Sequence, residues 1–199
     1  MNFEFAEKIN PFLIEFDYEK ALSIAESSLN EIPKGIFHNI IGKSLLHHTD
    51  ELSLWINDFY FESLEDCDVE SFFFTIIEFD INIETWLIDG FGFSRDGGID
   101  DYEWLCDVET GTAKPFILTG FEKLQFAFQS YEQISQVLKE EDLEQYTNAR
   151  DWCEQIIIIR FMELMRLTHL LSKEKNMSWS KLPIYFSEHE YDFIVKSKL

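Results

Sequence analysis

The feature that most constrains this fold is an apolar segment from Trp152 to Leu171, which includes four consecutive isoleucines at Ile156–Ile159. Its pattern predicts a helix over about residues 148–173 that is apolar on nearly every side. Such a helix is stable in water only when other elements cover it on both sides. A few polar residues make it unsuitable as a membrane span and favour a core helix; they are Glu154, Arg160, Glu163, Arg166 and His169.

The first third of the chain reads mainly as helix. Asp17 is a plausible N-cap for a helix from about Tyr18 to Leu29, because its carboxylate can accept free backbone N–H groups. A second helical stripe covers residues 36–45, and Thr49 is placed to cap a third helix that continues through Tyr60. No internal repeat is detectable across this region.

The middle of the chain reads as β-structure. Four strands are predicted, at about residues 72–77, 83–93, 101–109 and 115–119. In the third strand, period-two alternation places Tyr102, Trp104, Cys106 and Val108 inward and the carboxylates outward. Connections this short cannot make the crossover that parallel pairing needs, so they predict an antiparallel meander.

The remainder is predicted to be helical again, with a helix opening after Gly120. Near the C-terminal end two interpretations stay open. Ser187–Glu190 matches a capping box and slightly favours a short helix from Glu188, whereas residues 191–195 would also suit an edge strand.

We therefore expect a single α+β domain over residues 1–199. It is mainly helical over 1–68 and over 120–199, with a central antiparallel β-meander of about four strands over 70–119 and helices before and after it.

Acidic residues are concentrated in one part of the sequence. Between Asp50 and Glu109 there are eighteen Asp and Glu residues and one cation, Arg95, which gives a local charge of −17 within a chain total of −22. Aromatic and aliphatic residues are interleaved with these acids, so the segment has the material to fold.

This charge and the sparse motifs exclude several function classes. Direct binding to nucleic acid or to an anionic membrane requires a cationic face. The glycines of Gly90–Ser94 lack the spacing of a dinucleotide site, and neither a cofactor nor a metal is expected from any motif. Three widely spaced cysteines without a CxxC pair, and an acidic N-terminal start, indicate a cytoplasmic protein with reduced thiols. The cysteines are Cys67, Cys106 and Cys153.

The charge favours a basic protein partner. In size and composition the chain is similar to bacterial immunity proteins that neutralise nuclease toxins, although it carries no family motif. We therefore expect an acidic binding protein of the immunity or inhibitor type, with Tyr60 or Phe91 as apolar anchors. The expected partner-binding residues are Asp96, Asp100, Asp101, Glu103, Asp107 and Glu109.

Two alternatives remain open. Asp89, Asp96, Asp100 and Asp101 crowd one predicted hairpin, and clustered carboxylates can hold a divalent metal in a metal-dependent hydrolase. Alternatively, the protein is a scaffold whose acidic residues only maintain solubility.

Repulsion among the carboxylates predicts a dependence on salt and pH. Each close pair costs several tenths of a kcal/mol, approximately, and repulsion raises folded-state pKa values above the unfolded ones. The folded state then takes up protons first, so the free energy of unfolding should rise with added salt and with mild acidification from neutrality. Thermal melts across salt and pH measure this, and a melting temperature flat in both would contradict it.

Overall fold

The computed structural model describes residues 2–77, 85–189 and 193–199. Within these residues the helices and strands follow one another in a mixed order. The helices are α1 (Phe3–Ile14), α2 (Tyr18–Asn30), α3 (Thr49–Ser63), α4 (Glu122–Gln129), α5 (Tyr131–Ser135) and α6 (Glu140–Glu174). The strands are β1 (Ser71–Ile77), β2 (Trp86–Phe93), β3 (Thr110–Gly111), β4 (Phe116–Leu118), β5 (Ile184–Glu188) and β6 (Val195–Ser197). Short 3-10 helices lie at Ile36–Ile40, Leu46–His48, Glu103–Cys106 and Ser178–Lys181.

Helix α6 is the central element, as its apolar pattern predicted. Helices α1, α2 and α3 pack against it, and strands β5 and β6 contact it as well. The four residues Ile156–Ile159 are at most 1% exposed. The helix has 35 residues and begins earlier than the predicted start near residue 148. The first turns of the helix are rich in acids and other polar residues. A search for regularly spaced apolar residues therefore does not identify them as helical.

The sheet is mixed, so the prediction of a purely antiparallel meander of four strands was wrong. Its strand order is β3-β2-β1-β5-β6, and β4 also pairs with β2. Strand β1 pairs antiparallel with β2 but parallel with β5. Helices α4, α5 and α6 lie between β4 and β5 in the chain, and this long connection permits the parallel pairing.

The predicted third strand, residues 101–109, is not a strand. All of it belongs to a loop over residues 94–109, here called the acidic loop, which contains the 3-10 helix Glu103–Cys106. Of the four side chains predicted to point inward, only Trp104 is buried, whereas Tyr102, Cys106 and Val108 are exposed. Apolar and acidic residues do alternate in this segment, but only the indole of Trp104 is packed in an apolar site.

The sheet has two covered faces. Phe72, Phe74 and Trp86 belong to the main core, which also contains α6. A smaller cluster uses alternate residues of the strands, including Phe93 and Tyr185, and contains Trp104 of the acidic loop. The acidic loop is therefore attached to the sheet by a small core of its own.

The C-terminal segment resolves the choice between helix and strand. Glu188 is the last residue of β5, so the slightly favoured helix beginning there was wrong. An edge strand is present as β6, paired antiparallel with β5, at Val195–Ser197. Three parts of the predicted elements lie outside the described residues. They are residue 190 of the capping box, residues 191–192 of the possible edge strand, and residues 83–84 of the second predicted strand.

Of the local signals near the N-terminal end, the Asp17 cap is confirmed, whereas Thr49 is the first residue of α3 and His48 stands at its N-cap position. The carboxylate of Asp17 caps α2 by accepting a hydrogen bond from the backbone N–H of Lys20 at 3.1 Å. The stripe predicted at 36–45 forms only a 3-10 helix, Ile36–Ile40. Among the described residues, no helix combines the length and apolar character that crossing a membrane would require.

Truncation of the β5 core should test the observed position of this strand. Phe186 is fully buried and its ring centroid lies 6.5 Å from that of Phe161 on α6. We expect Phe186→Ala to lower the free energy of unfolding by about 3–5 kcal/mol, because it leaves a cavity between sheet and helix. Urea unfolding measures the change. Phe126→Ala, which truncates a side chain that is 62% exposed, should change it by less than about 0.5 kcal/mol.

Candidate binding surface

Trp104 anchors the acidic loop to the sheet. Its ring lies 4.9 Å from that of Phe93 and 5.0 Å from that of Tyr185, both edge-on. Its indole Nε1 donates a hydrogen bond to the carbonyl of Gly98 at 3.0 Å. Gly97 leaves room for the indole, since a Cβ at this position would lie 2.2 Å from a Trp104 ring atom. The loop conformation is therefore set by packing.

Asp96, one of the predicted partner-binding residues, is instead tied to the sheet. Its carboxylate accepts hydrogen bonds from the Tyr185 hydroxyl and from Lys196 Nζ, at 2.8 Å and 2.9 Å for the two oxygens. It also accepts one from the backbone N–H of Gly98 at 3.2 Å. With its side chain only 27% exposed, Asp96 holds the loop in place and has little capacity left for a partner.

These contacts also affect protonation. Burial raises the pKa of Asp96, but the hydrogen bonds from Lys196, Tyr185 and Gly98 outweigh it, so the net pKa lies below the ordinary value. The direction is opposite to the one that carboxylate repulsion predicts. Burial and the bond to Asp96 raise the pKa of the Tyr185 hydroxyl to about 12.

Glu109 and Asp107 close the other end of the loop. Glu109 accepts hydrogen bonds from the backbone N–H and the hydroxyl of Ser94, both at 2.6 Å. These bonds are the main reason that the pKa of Glu109 lies below its ordinary value, again against the expected direction. Asp107 pairs with Arg95 at 2.5 Å, and both side chains are more than half exposed. The local cation is thus used within the loop.

Asp100, Asp101 and Glu103 occupy the exposed part of the loop. Asp101 accepts a hydrogen bond from the backbone N–H of Glu103 at 3.0 Å, which orders this turn. Within the described part of the chain, none of the three carboxylates forms an ion pair. Of the other three predicted residues, Asp96 and Asp107 pair with a cation, and Glu109 is exposed but bonded to Ser94.

The carboxylates proposed for a metal do not converge. Asp89 lies on β2 and accepts a hydrogen bond from the Thr112 hydroxyl at 3.0 Å, and Asp96 is occupied by Tyr185 and Lys196. Among the residues that the structure describes, no group of three or more His, Cys, Asp or Glu is arranged to hold a metal ion. The metal-dependent hydrolase therefore has no geometric support.

A groove beside α3 was not predicted from the sequence. It has a volume of about 290 Å³. Trp55 and Phe59 line it together with the carboxylates of Asp58 and Glu62. The opposite side is formed by Thr112, Ala113 and Lys114. We call this cavity the α3 groove. Asp58 and Glu62 are exposed, are four residues apart on one helix face, and form no ion pair within the described residues.

The C-terminal end of the acidic loop lies beside the segment that follows α3. Just after α3, Asp66 accepts a hydrogen bond from the Thr110 hydroxyl at 3.5 Å, and the Cys67 thiol bonds to Glu109. Strand β3 follows the loop directly and leads to the residues on the far side of the groove. The end of the acidic loop is therefore bonded to the segment that follows α3.

The sequence contained part of the signal for this groove. Asp58 lies on the helix predicted through Tyr60, but Glu62 lies two residues beyond that point, and the far wall at 112–114 depends on the pairing of β3 with β2. The two apolar anchors suggested from the sequence are less accessible than expected. Tyr60 and Phe91 are only partly exposed and their rings contact those of Phe72 and Phe73.

Comparison with known proteins adds no assignment: no protein-family model, curated protein or solved structure matches this chain.

Neutralising Asp96 should loosen the acidic loop in a pH-dependent way. We expect Asp96→Asn to lower the free energy of unfolding by about 1 kcal/mol at pH 7, since it weakens the bond to Lys196. Because the folded pKa of Asp96 is depressed, its contribution is present above the unfolded pKa, about 4, and is lost as the pH falls through the folded pKa.

Urea unfolding from pH 7 down to pH 3 measures this difference. Asp100→Asn, at an exposed position on the same loop, is the matched control and should change stability by less than about 0.5 kcal/mol. A loss for Asp96→Asn that is equally large at pH 3 would show that its ionisation is not involved.

Proposed function

We propose that this protein is an acidic binding protein that neutralises a basic protein partner, such as a toxin or nuclease. The observation that carries this proposal is a set of exposed carboxylates on an ordered backbone, to which no cation is paired among the residues that the structure describes. Three are in the acidic loop, Asp100, Asp101 and Glu103, and two border the α3 groove, Asp58 and Glu62. Such a field attracts a cationic protein at long range and penalises anionic competitors.

The order of the loop argues against a role in solubility alone. A soluble surface needs charge but no fixed arrangement of charges. Here a buried tryptophan, a side-chain network at Asp96 and the Ser94–Glu109 bonds hold the loop in one conformation. A preorganised charged surface loses less conformational entropy on binding, which favours recognition. The three free cysteines are compatible with action in the cytoplasm.

Charge reversal on the loop tests this function. The wild-type protein, immobilised and exposed to lysate of its source organism, should retain one basic protein that elutes with salt. Asp101→Lys combined with Glu103→Lys should abolish retention without changing the melting temperature by more than a few degrees, because both positions are exposed. Mass spectrometry identifies and quantifies the retained protein.

The matched control makes the same charge change elsewhere. Glu15 and Glu31 are exposed and stand at the C-caps of α1 and α2, where lysine suits the helix dipole. Glu15→Lys combined with Glu31→Lys should keep the partner. If both double variants lose the basic protein equally, the effect is due to net charge alone. If both retain it equally, the acidic loop is not the binding surface.

A further inference from the structure

We propose that the α3 groove receives an arginine side chain of the basic partner. This inference rests on the proposed function and assigns one contact with the basic partner. The groove, at about 290 Å³, lies at the lower limit of small-molecule sites, so a single side chain suits it better than a larger ligand.

The aromatic wall of the groove is preorganised. The indole Nε1 of Trp55 donates a hydrogen bond to the carbonyl of Lys114 at 3.1 Å, which ties the ring to the opposite side of the groove. Its ring also lies 5.8 Å from Phe116 and 6.2 Å from Phe74. Trp55 is nevertheless partly exposed, and within the described residues no cation is stacked on it. Tryptophan is the side chain that binds cations most strongly through its ring.

The charge of the groove selects a cation. Asp58 and Glu62 lie one helical turn apart on the same face of α3 and have no hydrogen-bonding partner for their carboxylates within the described chain. Lys114 also lines the groove, but its Nζ is not within ion-pair distance of either carboxylate in the described structure. Two carboxylates and an aromatic wall therefore line one groove, and no cation among the described residues, Lys114 included, pairs with either carboxylate.

Arginine satisfies this combination better than lysine does. Its guanidinium is planar, stacks on aromatic rings and donates several hydrogen bonds in a fixed fork, so it can contact both carboxylates while it lies against an indole. A lysine ammonium is a strongly hydrated point charge without the planar surface.

The test uses the full chain and a hexa-arginine peptide at low ionic strength. The indole N–H signals of the five tryptophans are followed by 15N NMR, and the Trp55 signal is the one that disappears in Trp55→Phe. We expect the Trp55 signal to shift as peptide is added. Asp58→Asn combined with Glu62→Gln should weaken binding roughly tenfold, because both charge-assisted contacts are lost.

The matched control removes the same charge from the loop. Asp100→Asn combined with Asp101→Asn should weaken peptide binding less than about threefold. These two carboxylates do not line the α3 groove, and an exposed charge that is not in contact with the bound arginine contributes little to its binding energy. Hexa-lysine should bind more weakly than hexa-arginine and should shift the Trp55 signal less.

Three outcomes would overturn the assignment: no binding by the wild type, equal weakening in the two double variants, or equal binding of the two peptides. Equal weakening would mean diffuse attraction to the acidic surface. The proposed function would survive any of these results if a basic protein is still captured and then lost with Asp101→Lys and Glu103→Lys. The two proposals therefore fail separately.

Discussion

The structure depends on covering one long helix that is apolar on nearly every side. Ile156–Ile159 can be removed from water only if neighbours pack on all of their faces, and burial of each such side chain stabilises the fold by roughly 1.5–3 kcal/mol. Helices α1, α2 and α3 cover part of α6 while strands β5 and β6 contact it elsewhere. The strands that complete the sheet, β5 and β6, come after α6, and β5 inserts beside β1 in parallel.

The opposite face of the sheet explains where the acids are displayed. That face carries a small cluster, including Phe93 and Tyr185, which the acidic loop covers with Trp104. One buried indole and one shielded carboxylate, Asp96, attach the loop, and both are linked to the C-terminal strands through Tyr185 and Lys196. Different residues of the loop stabilise it and present its charge. The inner residues pack against the sheet, while the outer carboxylates remain exposed to water.

The electrostatic arrangement has two kinds of carboxylate with different physical roles. Asp96 and Glu109 accept several hydrogen bonds, so their pKa values are lowered and their charges support the folded loop. Asp58, Glu62, Asp100, Asp101 and Glu103 are exposed and have no cation in the described chain. Asp96 and Glu109 fix the conformation of the loop backbone, and this backbone carries the exposed carboxylates of Asp100, Asp101 and Glu103. Net charge alone does not make this distinction, since each residue contributes the same formal charge.

The sequence by itself determined the α+β composition, the buried helix near the C-terminal end, the Asp17 cap and the concentration of acids between Asp50 and Glu109. These properties are local, because periodicity, capping and composition act over a few residues. Only the tertiary structure decided that β5 pairs parallel with β1, that residues 101–109 form a loop around Trp104, and that Asp96 is bound by Lys196, a hundred positions away. Only the tertiary structure, too, placed Asp58 and Glu62 across a groove from residues 112–114. Each of these depends on which distant surfaces bury one another, and a pattern of alternating residues is equally compatible with a strand and with a loop that has a single buried anchor.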